Sequence, residues 1–197
     1  MFRLRGPAPI ADIEGRSIVL TAPAHGDRAE WSAVRLKSRS FLEPFEPEWS
    51  TDEFSARAWR ARMRQWAEDS RTGAAYSFFI RARDGRRLMG GLSVFNVRHG
   101  AAESGQVGYW MNAEDAGRGV MPEALALLMP FCFDTLGLRR VEAACIPENR
   151  RSARVLEKCG FEYEGLVRSY LRINGLRRDH RLYSLVAPLR PAPPPGS

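Results

Sequence analysis

The sequence predicts a mixed α+β domain with a mostly antiparallel sheet flanked by helices. Three observations support this fold class. Two helical stretches come early, a meander of apolar strands follows, and strand-helix units lie in the second half of the chain. Consecutive strands form antiparallel neighbours, and helices that alternate with strands pack against the faces of the same sheet. The order of elements therefore predicts helices layered on a mixed sheet.

The first elements follow from hydrophobic periodicity and turn residues. We expect a strand at residues 17–22 and a helix at residues 27–40. The loop Phe41–Trp49 then carries two prolines, three aromatic residues and three carboxylates. The sequence Ser50-Thr51-Asp52-Glu53 is typical of a helix N-terminus, so we expect a second helix that begins there and ends near residue 69.

The remaining elements alternate between strands and helices. In chain order they are strands at residues 75–82 and 87–97, a strand at 107–111, a long apolar helix, a strand at 141–146, a helix at 150–159, and a hairpin of strands at 161–173 and 177–187. The long helix is apolar almost all round, which predicts burial. Pro130 inside it predicts a kink, and Gly137 is expected to end it.

Length and composition indicate one globular domain. The 197 residues are 44% hydrophobic and 27% charged, which is ordinary for a single core. We expect a flexible arm at residues 1–15, a domain at residues 16–187 and a disordered Pro-rich tail at residues 188–197. No apolar run reaches the ~20 residues of a membrane span, and the first ten residues lack a signal-peptide core, so we expect a cytoplasmic protein. The three cysteines lie in apolar settings and are expected to be reduced, and we expect no metal site.

The stretch from Gly105 to Thr135 is typical of an anion-binding turn. An apolar strand is followed by Gly117-Arg118-Gly119 and by the long helix. Glycine lets a backbone approach an anion closely, and the N–H groups of a first helical turn point at it. A tight strand-to-helix connection without a ligand is the alternative. The chain has no Gly-Lys-Ser/Thr and no third glycine here, which excludes a Walker loop and a dinucleotide fingerprint.

Two segments resemble the GNAT family of N-acetyltransferases. Residues 116–121, AGRGVM, resemble its pyrophosphate loop Q/R-x-x-G-x-G/A, although Ala116 replaces Gln or Arg and Met121 replaces a small residue. Residues 147–161 resemble its N-x-x-S-x-x-x-x-E-K-x-G-F segment. Near the end of the chain, Asn174-Gly175 and Arg178-Asp179-His180 resemble the closing hairpin of the Rim type, the ribosomal-protein-alanine N-acetyltransferases.

The resemblance implies a splayed sheet in which acetyl-CoA lies between the strands through Met111 and Ile146. It implies cofactor contacts from two groups of residues and one amide side chain: the pyrophosphate loop (Gly117, Arg118, Gly119, Val120, Met121), the backbone of Tyr109, Trp110 and Met111, and Asn149. From its position alone, Asn149 is also a natural helix N-cap. We expect the rings of Tyr109 and Trp110 to be core residues.

The resemblance also implies that Ser152 is the acid that protonates the departing CoA thiolate. Ser152 is the only hydroxyl residue between Asn149 and Phe161. A first-turn helix serine without a catalytic role is the alternative. Tyr163 and Tyr170 are further candidates for the acid.

No motif identifies a general base. Glu103 lies just before the central strand, Glu46 lies in the aromatic loop, and Asp179-His180 is a further pair that is more often structural. An α-amino group has an ordinary pKa of about 7.7–8.0 and is appreciably neutral in cells, whereas a lysine amine, near ~10.4, needs more help. The lack of a strong base therefore favours an N-terminal acceptor. We expect Phe45, Glu46 and Trp49 to bind it.

These observations predict an acetyl-CoA-dependent N-acetyltransferase that acts on the N-terminal α-amine of a protein, with a ribosomal protein implied by the Rim resemblance. The alternatives are an acetyltransferase for a small amine, such as an antibiotic or a polyamine, and a non-catalytic acyl-CoA-binding or ribosome-associated protein. The net charge of +7 suits CoA phosphates, ribosomal RNA or both, although a merely well-solvated surface would have the same charge. No membrane partner is expected.

Overall fold

The computed structural model describes residues 11–188. Eight strands form one sheet: β1 (Ile13–Glu14), β2 (Ile18–Thr21), β3 (Tyr76–Ala82), β4 (Leu88–Arg98), β5 (Ser104–Met111), β6 (Arg140–Cys145), β7 (Glu162–Ile173) and β8 (Leu176–Val186). Five helices accompany them: α1 (Arg28–Lys37), α2 (Arg39–Leu42), α3 (Ala56–Thr72), α4 (Val120–Pro130) and α5 (Arg150–Lys158).

The strands lie in the order β1-β2-β3-β4-β5-β6-β8-β7. Neighbours are antiparallel except β5 and β6, which are parallel. Helices α4 and α5 cover one face of the sheet around the larger apolar core, and α1 and α3 cover the other around a cluster centred on Trp31 and Trp59. This arrangement confirms the predicted mixed, mostly antiparallel α+β fold.

The two parallel strands separate part of the way along their length. Ser104–Val107 of β5 pair with Arg140–Ala143 of β6. Beyond these residues β5 continues to Met111 and β6 continues to Cys145, but the two strands no longer pair with each other. The splay predicted from the family resemblance is therefore present. It opens a gap between the ends of β5 and β6, at the point from which α4 and α5 follow.

The pairing of β5 with β4 decides which backbone groups face this gap. The Asn112 N–H donates to Met89 O at 2.8 Å, one position beyond the Met111–Gly90 pair. Because hydrogen-bonded and non-bonded pairs alternate in an antiparallel ladder, Trp110 bonds to β4 and its neighbours Tyr109 and Met111 do not. The N–H and C=O groups of Tyr109 and Met111 therefore point toward the gap.

Several helix boundaries differ from the predicted ones. The predicted helix at 27–40 divides into α1 and α2 at Ser38, whose hydroxyl donates to Asn112 Oδ1 and accepts from the Ala113 N–H. The N-cap of α3 is Ser55, which accepts from the Ala58 N–H at 3.0 Å, and not the predicted segment at 50–53. There the Ser50 hydroxyl instead donates to the Asp52 carboxylate.

Pro130 changes the winding of the long helix. The predicted kink is replaced by the end of α4 at Pro130 and a five-residue π-helical turn at Phe131–Thr135. The Leu136 N–H donates to Phe131 O at 3.0 Å, which is the wider i→i+5 bond of such a turn. The proline has no N–H to donate, so a change of winding at this position leaves no donor without an acceptor. Gly137 follows with a φ of 71°, as expected of a residue that ends a helix.

The ends of the domain extend the sheet. Of the predicted arm at residues 1–15, Ile13–Glu14 pair with Val19–Leu20 of β2, and the first ten residues lie outside the described part of the chain. The predicted tail also lies outside it, apart from Pro188. Within residues 11–188, no helix has the length and apolarity needed to cross a membrane, and no group of three or more His, Cys, Asp or Glu side chains is placed to hold a metal ion.

A buried carboxylate fastens the turn that follows β5. Asp115, with a side chain only 1% exposed, accepts two hydrogen bonds from the Arg87 guanidinium at 2.6 and 2.7 Å. It also accepts from Asn112 Nδ2 at 2.8 Å. The bonds from Arg87 hold the pKa of the Asp115 carboxyl below its usual value. This network connects the residues just before Gly117 to Arg87, the residue that directly precedes β4.

We expect Asp115→Asn to lower the free energy of unfolding at pH 7 by about 1.5–3 kcal/mol, the usual contribution of hydrogen bonds to a charged group. Because the folded pKa is lowered, the stabilisation is complete above the ordinary carboxyl pKa of about 3.9 and is lost as the pH falls through the folded value. Urea denaturation at a series of pH values should therefore show the wild-type and Asp115→Asn stabilities converging below pH about 4. The exposed Asp52→Asn is the control, and a difference that persists unchanged to pH about 2 would contradict the assignment.

Candidate active site

The gap between β5 and β6 is a cavity of about 970 Å³. Its walls combine backbone from the end of β5, the turn before α4, the end of β6 and one side of α5. Arg151, Arg154 and Lys158 of α5 line its mouth. A long cavity with free backbone groups inside and cations at its mouth fits a ligand with an amide-bearing arm and phosphates.

The turn before α4 has the geometry of an anion site. Gly117 and Gly119 have φ values of 81° and 82°, and a Cβ at either position would have no protein atom within 4 Å. Gly119 is the N-cap of α4, and Val120 and Met121 supply N–H groups that have no intrahelical acceptor. Of the residues predicted to bind the pyrophosphate, Gly117, Gly119, Val120 and Met121 line the cavity, but Arg118 is exposed and does not.

Asn149 and Ser152 enter the cavity from the first turn of α5. Asn149 Oδ1 accepts from the Ser152 N–H at 3.1 Å, so Asn149 is the N-cap and lines the cavity as well. Within the described residues, no hydrogen bond uses its Nδ2, which is therefore available to a ligand. Ser152 also lines the cavity, and its Oγ lies 2.8 Å from the Tyr109 hydroxyl.

The side chains of Tyr109 and Trp110 do more than fill the core. Tyr109 packs against the main core, but its hydroxyl reaches across the gap to Ser152. Trp110 points to the opposite face, where its ring lies 5.2 Å from the Arg35 guanidinium. A Cβ on Gly91 would lie 2.5 Å from Trp110 Nε1, so Gly91 of β4 leaves room for this ring.

A second cavity, of about 460 Å³, opens on the face of the sheet covered by α1 and α3. It shares Glu46, Pro47 and residues 108–110 with the first cavity. The two cavities therefore meet over the stretch of β5 whose backbone faces the gap. Such a junction can hold two ligands with their reacting atoms in contact.

Glu46 is held firmly at this junction. Its carboxylate accepts from Arg35 at 2.5 and 3.2 Å and from Trp49 Nε1 at 2.8 Å. Its carbonyl accepts from the Asn174 N–H at 2.9 Å, which closes the aromatic loop onto the β7–β8 turn. Of the three residues predicted to bind the acceptor, Phe45 lines the larger cavity, Trp49 the smaller one and Glu46 both.

Glu103 does not belong to this site. It precedes the first residue of β5, about 20 Å along the strand from Tyr109 at ~3.3 Å per residue, and it lines neither cavity. Its carbonyl accepts from the Arg139 and Arg140 N–H groups. The structure therefore does not bring Glu103 together with the other predicted site residues, because proximity to the central strand in sequence does not show which end of that strand faces the gap.

The other hydroxyl and imidazole candidates have different environments. Tyr163 is 56% exposed and lines neither cavity, and Tyr170 accepts a hydrogen bond from Gln106 Nε2 at 2.9 Å. His180 is buried at the wall of the larger cavity, and its Nδ1 lies 3.0 Å from Arg178 O. A carbonyl can only accept, so this nitrogen carries the proton. Cys145 lines the larger cavity too, where burial raises the pKa of its thiol.

Comparisons with known proteins agree with this geometry. Residues 17–162 match the family model described as the acetyltransferase (GNAT) domain. The probable N-acetyltransferase YjcK of Bacillus subtilis is 31% identical over 176 residues, which are 89% of this chain and 97% of that protein. The ribosomal protein uS5-alanine N-acetyltransferase of Escherichia coli is 29% identical over 188 residues, or 95% of this chain and 97% of its own.

Solved structures agree as well. Mycobacterium smegmatis RimJ, in complex with CoA-disulfide, superposes with a TM-score of 0.82 at 34% identity, covering 93% of this chain and 88% of that one. A ribosomal-protein-S5-alanine acetyltransferase from Vibrio fischeri gives a TM-score of 0.83 at 29% identity, covering 90% and 97%. With this domain match, these relatives and its splayed strands, the chain belongs to the GNAT family and is an N-acetyltransferase.

Proposed function

We propose that this enzyme transfers the acetyl group of acetyl-CoA to the N-terminal α-amine of a ribosomal protein. One observation carries the proposal: a cavity suited to CoA and a second cavity with a carboxylate meet at residues 108–110 of β5. The names of the Escherichia coli and Vibrio fischeri relatives support the choice of acceptor. Its place of action would then be the cytoplasm.

The residues of the larger cavity fit acetyl-CoA. The N–H groups of Val120 and Met121 and the open space beside Gly119 suit its pyrophosphate, and Asn149 Nδ2 suits an amide of its arm. When bound, acetyl-CoA supplies an acetyl thioester whose C–S bond breaks, with the electron pair left on sulfur, as the acceptor nitrogen bonds to the carbonyl carbon. Backbone N–H groups of Tyr109 and Met111, directed into the gap, are suited to an oxyanion role.

Ser152 is the proposed acid. Its hydroxyl lines the cavity and lies at the first turn of α5, where the dipole of the helix favours negative charge nearby. A hydrogen bond from Ser152 would stabilise charge on the departing sulfur, and a hydroxyl hydrogen has the freedom to turn toward it.

Glu46 is proposed to bind the acceptor as its ammonium ion. The bonds from Arg35 and Trp49 leave Oε1 with one accepting direction free. A carboxylate oxygen with a free accepting direction suits a hydrogen bond from an ammonium group. The amine would then lose its proton to water, which agrees with the ordinary pKa of an α-amino group.

We expect Gly119→Val to weaken CoA binding about tenfold or more, because the added side chain would occupy the space that the pyrophosphate needs. Calorimetry with CoA measures the effect. Gly100→Val is the matched control, since Gly100 has a φ of 70° and equally open surroundings in the β4–β5 turn. Equal CoA affinity for wild type and Gly119→Val would remove the pyrophosphate-loop assignment.

The acceptor proposal predicts acetylation at the α-amine of N-terminal peptides from ribosomal proteins. At limiting peptide, the rate should rise with pH and level off near ~8, the ordinary pKa of the free amine. Release of free CoA gives the rate, and mass spectrometry locates the acetyl group. A peptide with a blocked N-terminus and an intact lysine should not react. Acetate on the lysine, or only on polyamines, would contradict the proposal.

The same assay tests Glu46. Glu46→Gln should raise KM for the peptide about tenfold, within the range of a charge-assisted hydrogen bond, and leave CoA affinity unchanged. The half-buried carboxylate of Glu43, which pairs with Arg39 and lines neither cavity, provides the control Glu43→Gln. A normal KM in Glu46→Gln would remove Glu46 from the acceptor site.

Ribosome association is a further part of the proposal. Arg57, Arg60 and Arg64 are exposed on α3 at helical spacing, opposite the buried Trp59. Among the described residues they have no carboxylate partner, whereas Arg62 and Arg71 on the same helix pair with Glu53 and Glu68. A stripe of three free guanidinium groups suits a phosphate backbone.

Replacing Arg57, Arg60 and Arg64 with glutamine should weaken co-sedimentation with ribosomes and its dependence on salt concentration, while peptide acetylation is unchanged. Removing three charges at Arg83, Arg86 and Arg98 is the control for net charge. Equal ribosome binding by the two triple variants would show that the α3 stripe has no particular role.

A further inference from the structure

The hydroxyls of Tyr109 and Ser152 form a pair that closes the inner end of the gap. Tyr109 comes from β5, on one side of the separation, and Ser152 comes from α5, which follows β6 on the other. Their oxygens are 2.8 Å apart, and the Tyr109 hydroxyl is also 3.4 Å from the carbonyl of Ser152. Both residues line the larger cavity.

A count of donors and acceptors limits how this pair can be arranged. Each hydroxyl has one hydrogen, and a hydrogen that lies between the two oxygens cannot also reach a ligand. If Tyr109 donates to Ser152 Oγ, the hydrogen of Ser152 is free to point into the cavity. If Ser152 donates instead, Tyr109 is left with the carbonyl at 3.4 Å, a long and weak bond.

Two further groups support the first arrangement. Burial raises the pKa of the Tyr109 phenol, so it keeps its hydrogen and acts as a donor at neutral pH. Burial also raises the pKa of the neighbouring Cys145 thiol, which stays neutral and is only a weak competing acceptor for Ser152. The strongest acceptor that Ser152 can meet is therefore a ligand in the cavity.

We propose that Tyr109 is a positioning residue for acetyl transfer: its hydroxyl donates to Ser152 Oγ and turns the Ser152 hydrogen toward the sulfur of bound CoA. This inference rests on the proposed role of Ser152. Tyr109 gives up no proton. Its hydrogen bond to Ser152 Oγ orients the Ser152 hydroxyl and strengthens the bond that this hydroxyl donates to the sulfur, since hydrogen bonds in a chain strengthen one another. Negative charge on the sulfur favours this arrangement because it directs the Ser152 hydrogen at the sulfur.

A double-mutant cycle separates this role from general damage to the core. Tyr109→Phe should lower kcat about three- to tenfold, the value of one neutral hydrogen bond, with KM for acetyl-CoA unchanged. Ser152→Ala should lower kcat roughly 10²-fold. Because Tyr109 acts through Ser152, adding Tyr109→Phe to Ser152→Ala should lower kcat no further.

Binding of CoA provides a readout that does not depend on turnover. Stabilisation of the thiolate makes CoA affinity rise with pH across the range in which a thiol ionises, about pH 7 to 10. In Tyr109→Phe this rise should shift to higher pH, while affinity at low pH stays at the wild-type value. Tyr163→Phe, at an exposed hydroxyl outside both cavities, is the matched control, and thermal unfolding checks that each variant is folded.

The outcomes are distinguishable. An unchanged kcat in folded Tyr109→Phe, or a further loss in the double variant as large as in the single one, would overturn the inference. The inference would also be overturned if the dependence of CoA affinity on pH were the same in Tyr109→Phe as in wild type. If wild type turned over no amine but its CoA profile shifted in Tyr109→Phe, the proposed function would fail and the hydrogen-bonded pair would stand.

Discussion

The separation of β5 from β6 beyond Val107 is the constraint on which the rest of the site depends. Backbone N–H and C=O groups that leave a ladder must find other partners. At Tyr109 and Met111 these groups face a cavity, and α4 and α5 bring their N-termini to its walls. Backbone donors of β5 and of the first turn of α4, together with Asn149 Nδ2, therefore converge on one gap, and they suit a long anionic ligand with carbonyl groups.

Separated strands need to be held apart, and polar contacts do this on both sides. The ion pair between Arg87 and Asp115 connects the turn after β5 to the residue that directly precedes β4. On the acceptor side, Arg35 stacks on Trp49 and Trp110, with centroid distances of 4.7 and 5.2 Å, while it bonds Glu46. A rigid gap loses less conformational entropy when a ligand binds, so contacts that order the walls of the gap favour binding.

The sequence predicted the strands and the glycine turn before α4 well, because both depend on local pattern. Alternation of apolar residues marks strands, and glycines at a strand-to-helix turn mark an anion site. The contacts that join distant segments were not predictable in this way. Arg87 with Asp115 and Tyr109 with Ser152 are pairs whose partners lie far apart in the chain. The distance of Glu103 from the gap was not predictable either, since spacing in sequence does not show which end of a strand faces the gap.

Residues 108–110 line both cavities, and this shared lining affects how enzymes of this kind can acquire new acceptors. The groups proposed to bind the acyl donor there are peptide atoms, which a side-chain substitution does not remove. Side chains on the α1 and α3 face can then change the acceptor while the donor contacts persist. Substitutions on the α1 and α3 face would then change which acceptor binds, while the backbone groups proposed to act on the thioester stay the same.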